Sequence, residues 1–398
     1  MRIRRAPFAL ALVMALSPCG ADAQPDEASS ADSTAAAQRP FVPGGYNDKP
    51  YIEGVFGRIR VGGYVEAAGK WEREDGVNEE LGVELTRMNL LTSTDLRGRV
   101  QVWGEIEFED GGEEIVLELA QVDLLLHRWM NLRGGILLLP IGRFNLAHDG
   151  PRNELPSRPL LATELLGSAL SQPGMGAFGQ FGDPDGDRLT YEAYAVTGYD
   201  HRIIEESSVG TRLPAGRFNR EDSNASPAWV GRLEWSPSRR NAFGLSGYAG
   251  VYNVHTLDGL QVDERRAVRV GAGDVDTRFL GVRLVAEGAL VEVDVPAGLS
   301  GLYASSQGGF FTEVSRAFGS GWLAKLPESW FTAAARVDVV DFDRDLRGDS
   351  VRSLTLGVNV RPIPETCFKL AFTRGERRDR FNNPAEFATW VLGLASYF

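Results

Sequence analysis

Beyond Leu16 this chain has no long apolar run. Nothing after it approaches the ~18 consecutive apolar residues that a transmembrane helix requires, so no helical span is expected. Cysteine is nearly absent too. There are two, Cys19 and Cys367, and only the second outlasts the leader argued for below, which excludes an intrachain disulfide and leaves one thiol as a small filler. Lysine is scarce, four residues against 38 arginines. Histidine is limited to His127, His148, His201 and His255, and neither H-E-x-x-H nor G-x-S-x-G occurs. A catalytic site would have to assemble wholly in space, so no enzyme is expected, and no cofactor or metal motif is present. Net positive charge is lacking as well: without residues 1–23 the chain keeps 39 basic and 53 acidic residues, a balance of -14 with no global attraction for nucleic acid.

Glycine, by contrast, is abundant. It fills 46 of 398 positions against a usual share of about 7%, as suits a fold with many tight turns. Arg2, Arg4 and Arg5, the apolar run Ala6–Leu16 and Ala21-Asp22-Ala23 form a charged region, a hydrophobic stretch and an A-x-A cleavage site. Residues 1–23 are therefore expected to leave as a signal peptide. Pro18 precedes Cys19 where a lipid-modified cysteine normally follows a small residue. Residues 24–50, rich in Ala, Ser, Asp and Pro without periodicity, read as a flexible leader. The domain is expected over 51–398.

From Tyr51 onward, segments of about ten residues alternate apolar and polar. Phe331, Ala333, Ala335, Val337 and Val339 oppose Thr332, Arg336 and Asp338, while Leu354, Leu356, Val358 and Val360 oppose Thr355, Asn359 and Arg361. A soluble β-sandwich alternates as well. Against it, the polar faces carry full charges of both signs, and short connectors (95–98, 127–130, 183–187, 236–240, 361–366) interleave with long ones (140–174, 198–226, 253–276, 341–350, 375–386). The chain also ends on ATWVLGLASYF, an alternating segment closed by Phe398, like the terminal strand that the barrel-assembly machinery reads in outer-membrane proteins. These features predict an all-β fold: a transmembrane, antiparallel up-and-down barrel of about 16 strands. The least secure segments lie at 175–182 and 289–295, so fourteen or eighteen strands remain open. Trp129, Trp235 and Trp330 near one rim and Trp390 near the other suit aromatic girdles.

A barrel of that width is too wide for side chains to fill, so it holds water. What narrows it must set selectivity. The candidate is the long third loop, Pro140 to Pro173, carrying Arg143, Asp149, Arg152, Glu154 and Arg158 and expected to fold inward. Its arginine forks match phosphate or carboxylate oxygens, unless each pairs with Asp149, Glu154 or a wall carboxylate. On the wall, Arg58, Arg60, Arg133, Arg232, Arg283, Arg336, Arg361 and Lys369 face Glu66, Glu105, Glu107, Asp123, Glu192, Glu234, Glu287, Glu313 and Asp338. Eight against nine leaves no net field for anions. The outer run RGERRDR (374–380) reads as a solvated or lipopolysaccharide-facing surface.

The run AQVDLLLHRWMNLRGGILLLPIGRFN (120–145) and SRPLL (157–161) resemble the phosphate-selective porin O and P family. YEAYAVTGYD (191–200), PAWVGRLEWSP (227–237), FTAAARVDVVDFD (331–343) and LTLGVNVRP (354–362) follow in the family's order. The resemblance implies a sixteen-stranded, homotrimeric outer-membrane porin with its third loop inside. The mixed wall departs from the dense lumenal Lys and Arg of members that select phosphate. The expectation is a channel for passive diffusion of small hydrophilic solutes or ions in the outer membrane, with lipid and lipopolysaccharide around it. The alternative is an adhesin or receptor barrel acting through its outer loops.

Overall fold

The computed structural model describes residues 45, 49–53, 59–184, 186–204 and 209–398. The signal peptide expected over 1–23, all of the leader except Gly45, Lys49 and Pro50, and Arg58 lie outside the described residues.

Sixteen strands build the barrel: β1 Ile59–Glu74, β2 Val77–Leu96, β3 Val100–Glu109, β4 Glu114–His127, β5 Met130–Leu138, β6 Ser171–Gly182, β7 Arg188–Val196 and β8 Ala228–Ser238, then β9 Asn241–Val251, β10 Ala267–Phe279, β11 Val282–Val293, β12 Ser306–Phe318, β13 Trp330–Asp341, β14 Ser350–Ile363, β15 Thr366–Arg378 and β16 Pro384–Tyr397. Each pairs antiparallel with its neighbour in sequence. β16 returns to β1, with Trp390 opposite Trp71 and Tyr397 opposite Tyr64, so the sheet closes and leaves no open edge. The sixteen-stranded up-and-down barrel predicted from alternation is what the chain forms.

The boundaries differ most in two places. The strands expected at 277–287 and 289–295 are β10 and β11, joined at Leu280–Gly281 with φ of 50° and 78°. A two-residue turn with both φ positive matches the twist of its strands, but leucine does not announce one. Gly288, which reads as a break, sits in mid-ladder opposite Gly273. β1 and β2 also run on past their expected ends to a turn at Asp75–Gly76, φ 47° and 82°. Short connectors gather at one rim, where only 319–329 is longer, and the long loops lie at the other, together with the short links 75–76, 110–113 and 379–383, the last of them shorter than the long connector expected over 375–386.

Outward side chains form the apolar band. Leu356, Val358, Phe368, Leu370 and Leu392 are between 42% and 63% exposed, a surface suited to lipid rather than water. Trp129, Trp235 and Trp390 face outward among them. Trp330 does not belong to a girdle: it shares the inward face of β13 with Thr332 and Arg336 and lines the lumen. At the seam, the Phe398 amide donates to the Gly63 carbonyl at 3.0 Å and its ring occupies the space that a Cβ on Gly63 would need. Past that point residues 52–53 take over the pairing with β1.

The inner faces are graded rather than uniformly wet. From the turn end, β7 presents Arg188, Thr190, Glu192, Tyr194 and Val196, and β8 presents Ser236, Glu234, Arg232, Val230 and Ala228. β10 runs likewise from Asp276 and Asp274 to Ala272, Val270 and Val268. At the loop end these apolar residues close over Leu161, Leu165 and Leu166 of the third loop and over Tyr199, Ile203 and Leu213 of the fourth, an apolar core inside the barrel.

Candidate channel constriction

The third loop, residues 139–170, leaves β5 through a pinned neck. The Leu139 amide donates to the Leu170 carbonyl at 3.0 Å. Asn145 clamps both strands of the neck: its Nδ2 donates to the Leu139 and Leu170 carbonyls (2.8 and 2.9 Å), and its Oδ1 accepts from the Leu170 amide at 2.7 Å. The chain then crosses the lumen. The Gly142 amide donates to Ser246 Oγ on β9, and the Arg143 and Phe144 amides donate to Glu287 Oε2 on β11 at 2.7 and 2.9 Å. Gly142 has φ +69°, and a Cβ there would meet the Glu287 carboxylate, so the crossing depends on glycine.

The return leg is held by wall side chains. Lys369 Nζ donates to the Gly150 carbonyl and Arg361 to the Pro151 carbonyl, each at 2.6 Å. Arg336 donates to the Ser157 carbonyl and Oγ and to the Arg158 carbonyl (2.8, 2.9 and 3.1 Å), while Asp338 accepts from the Leu160 amide at 3.0 Å. Backbone groups of a loop inside a barrel must find partners away from bulk water, and here β9, β11 and β13–β15 supply them. The inward fold expected of this loop is therefore what the chain adopts.

The expected constriction residues meet different partners. Arg143 pairs with Asp276 of β10 at 3.0 Å and Glu234 of β8 at 3.8 Å. Arg152 donates to the Tyr397 hydroxyl at 3.1 Å. Arg158 contributes its carbonyl to Arg336. Asp149 accepts from the Tyr397 hydroxyl at 2.7 Å and pairs with Lys49 at 3.0 Å, and Glu154 pairs with Arg361 at 3.5 Å and accepts from Asn359. The two carboxylates anchor the loop to the wall. On the wall, Arg133 grips Asp123 through two bonds of 2.7 and 3.0 Å and reaches Glu192 at 3.1 Å. Arg232 pairs with Glu234 and Asp274, Arg283 with Asp276, and Arg336 with Asp338. Glu105 accepts from Asn89 and pairs with Lys49.

Three partners escaped the sequence. Lys49, placed in a flexible leader, is buried in the lumen between Glu105 and Asp149. The neighbouring Tyr51 ring lies 5.9 Å from that of Trp103. A lone lysine in Lys49-Pro50-Tyr51 is the signal that an averaged leader composition hides. His148 faces Glu118 of β4 at 2.7 Å, with its Nδ1 2.9 Å from the Asn145 carbonyl. Burial works against charge on this ring, but Glu118 and Asp149 outweigh it and raise its pKa to about 9, so it is an imidazolium at neutral pH. Tyr397, read only as part of the final strand, bridges Arg152 and Asp149.

Between the loop and β10–β14 lies a cavity of ≈480 Å³. Lys49, Arg143, Arg152, Arg278, Arg283, Arg336 and Arg361 line it against Glu154, Glu313 and Glu365. Seven basic side chains thus line this chamber against three carboxylates, while Glu105, Asp149, Asp276 and Asp338, which do not line it, pair with Lys49, Arg143, Arg283 and Arg336.

No family model matches the chain. It is 24% identical over 338 residues to an uncharacterized protein of Aquifex aeolicus (strain VF5), an alignment spanning 78% of this chain and 75% of that one. Among solved structures, it resembles the outer membrane channel DcaP of Acinetobacter baumannii, with TM-score 0.55, 13% identity and coverage of 85% and 97%. It resembles the OmpF–daunomycin complex of Salmonella typhi (TM-score 0.53, 11% identity, 88% and 100%) and an anion-selective porin from Comamonas acidovorans (0.52, 12% identity, 85% and 99%). At such identities the likeness is one of fold, and that fold is the barrel of outer-membrane porins.

Proposed function

We propose that this chain forms a water-filled channel in an outer membrane and passes small anions by passive diffusion. The cationic chamber beneath the third loop carries the proposal, with seven basic groups to three carboxylates around ≈480 Å³. Arg143 and Arg152 from the loop face it together with Arg283 and Arg336 from the wall, and planar guanidinium forks suit carboxylate and phosphate oxygens. Arg133 and Arg232 lie outside the lining of this chamber and serve the wall instead. The fold shared with outer-membrane porins supports the channel part of this reading. Inorganic phosphate is one candidate anion, although the chamber, and not the lumen at large, supplies the preference.

The same reading carries its setting. The signal peptide directs export, β16 with Phe398 just beyond it addresses the barrel-assembly machinery, the outer run 374–380 borders lipopolysaccharide, and the assembly is a homotrimer. The test is single-channel conductance of the mature protein in a planar bilayer, with reversal potential under a KCl gradient and again with phosphate added. Steady steps with anion preference are expected, and cation preference overturns the anion reading. One observation favours a second reading, an adhesin or receptor acting through its loops: the apolar core of the third and fourth loops fills part of the lumen. A folded, heat-modifiable barrel that conducts nothing would favour it.

A further inference from the structure

Inorganic anions require only charge, yet the chamber is lined by rings as well. Phe144 of the third loop meets Phe311 of β12 edge to face, ring centroids 6.4 Å apart. Trp330 and Tyr397 line the same space, with the Arg361 guanidinium 5.9 Å from the Trp330 ring and that of Arg152 5.8 Å from the Tyr397 ring. Apolar rings beside fixed cations suit an anion with an apolar body: the carboxylate engages a guanidinium while the ring sheds water against Trp330 and Phe144. The volume, ≈480 Å³, falls within the roughly 300–1,000 Å³ of small-molecule sites. Trp330 argues most directly, because a rim tryptophan ordinarily faces lipid and this one faces inward.

We infer that the chamber is a binding site for carboxylates attached to an aromatic ring. The inference rests on the anion-channel reading and specifies its solute class. Benzoate and acetate carry the same charge, so a chamber that acts by charge alone treats them alike. The experiment measures block of single-channel chloride current by each salt, after anion preference has been established in KCl. Benzoate is expected to halve the current at about tenfold lower concentration than acetate, the factor that one favourable aromatic contact supplies. Trp330→Leu, with folding verified by heat-modifiable gel mobility, should bring benzoate to the level of acetate, whereas Arg152→Gln should weaken both. Phe144→Leu asks the same question if the Trp330 variant does not fold. Equal block by the two salts in an anion-selective wild-type channel overturns the inference and leaves the channel reading standing. A channel without anion preference overturns that reading instead.

Discussion

Replacing Lys49 by glutamine tests how the leader takes part in conduction. The ammonium lies 2.8 Å from Glu105 Oε2 and 3.0 Å from Asp149 Oδ1, all three side chains at most 2% exposed. Burial by itself would favour the neutral amine, but Asp149 and Glu105 outweigh it and hold the pKa well above that of an ordinary lysine. Removing one partner from such a buried group costs about 3–5 kcal/mol. The electrical effect is separate, because one positive charge leaves the lining of the chamber. At a distance of about 8 Å and an effective dielectric of about 20 to 80, a unit charge is worth about 0.5–2 kcal/mol, roughly a two- to thirtyfold change in the partitioning of a monovalent anion and the inverse change for a cation. The assay is reversal potential under a KCl gradient, with Lys49→Arg as the variant that keeps the charge. Lys49→Gln should move the potential toward cations, and Lys49→Arg should not. A potential unmoved by Lys49→Gln, in a channel of wild-type conductance, refutes the placement of this charge beside the ion path.

Gly142→Ala forces an alanine to φ +69° and its Cβ onto the Glu287 carboxylate; the backbone part alone costs roughly 1–2 kcal/mol, and a looser crossing should appear as larger, noisier open-channel current. The His148 pKa is about 9 against 6.5 for the free side chain, so its contribution, on the order of 3 kcal/mol, is fully present below pH 6.5 and lost as pH rises through 9. The unfolding temperature should fall across that window, and Glu118→Gln should flatten the profile. Leu165→Ala removes a side chain 1% exposed in the apolar core and should cost about 2–5 kcal/mol, read as earlier heat modification on gels.

The faces of the strands were legible because lipid and lumen demand different chemistry, and a period of two records the difference. Leu356 and Val358 point out while Thr355 and Asn359 point in, as their alternation requires. Strand ends were less legible, since Leu280–Gly281 makes its turn through backbone conformation that leucine does not signal. The site was legible in part. Arg143, Asp149, Arg152, Glu154 and Arg158 stand out as charges gathered in one long loop. Their partners do not, because Tyr397 lies 245 positions from Arg152 and Glu287 lies 144 from Arg143. No local pattern reports a contact across the lumen.

The apolar core was nevertheless written in the strands. Ala228-Trp229-Val230 and Ala289-Leu290-Val291 are apolar on both faces, and the outward member of each, Trp229 or Leu290, is already assigned to lipid. Their inward neighbours then need something dry inside the barrel. In a barrel too wide for its walls to touch, only a loop can provide it, so inward apolar residues at the loop end imply that loops 3 and 4 fold back into the lumen. The polar residues at the turn end of the same strands imply the converse, a region left to water and ions. That division places the chamber where the inner faces stay charged. It also means that polar replacements of Val230 and Val291 would act on the loops first, releasing them from the wall before changing any charge that a passing anion meets.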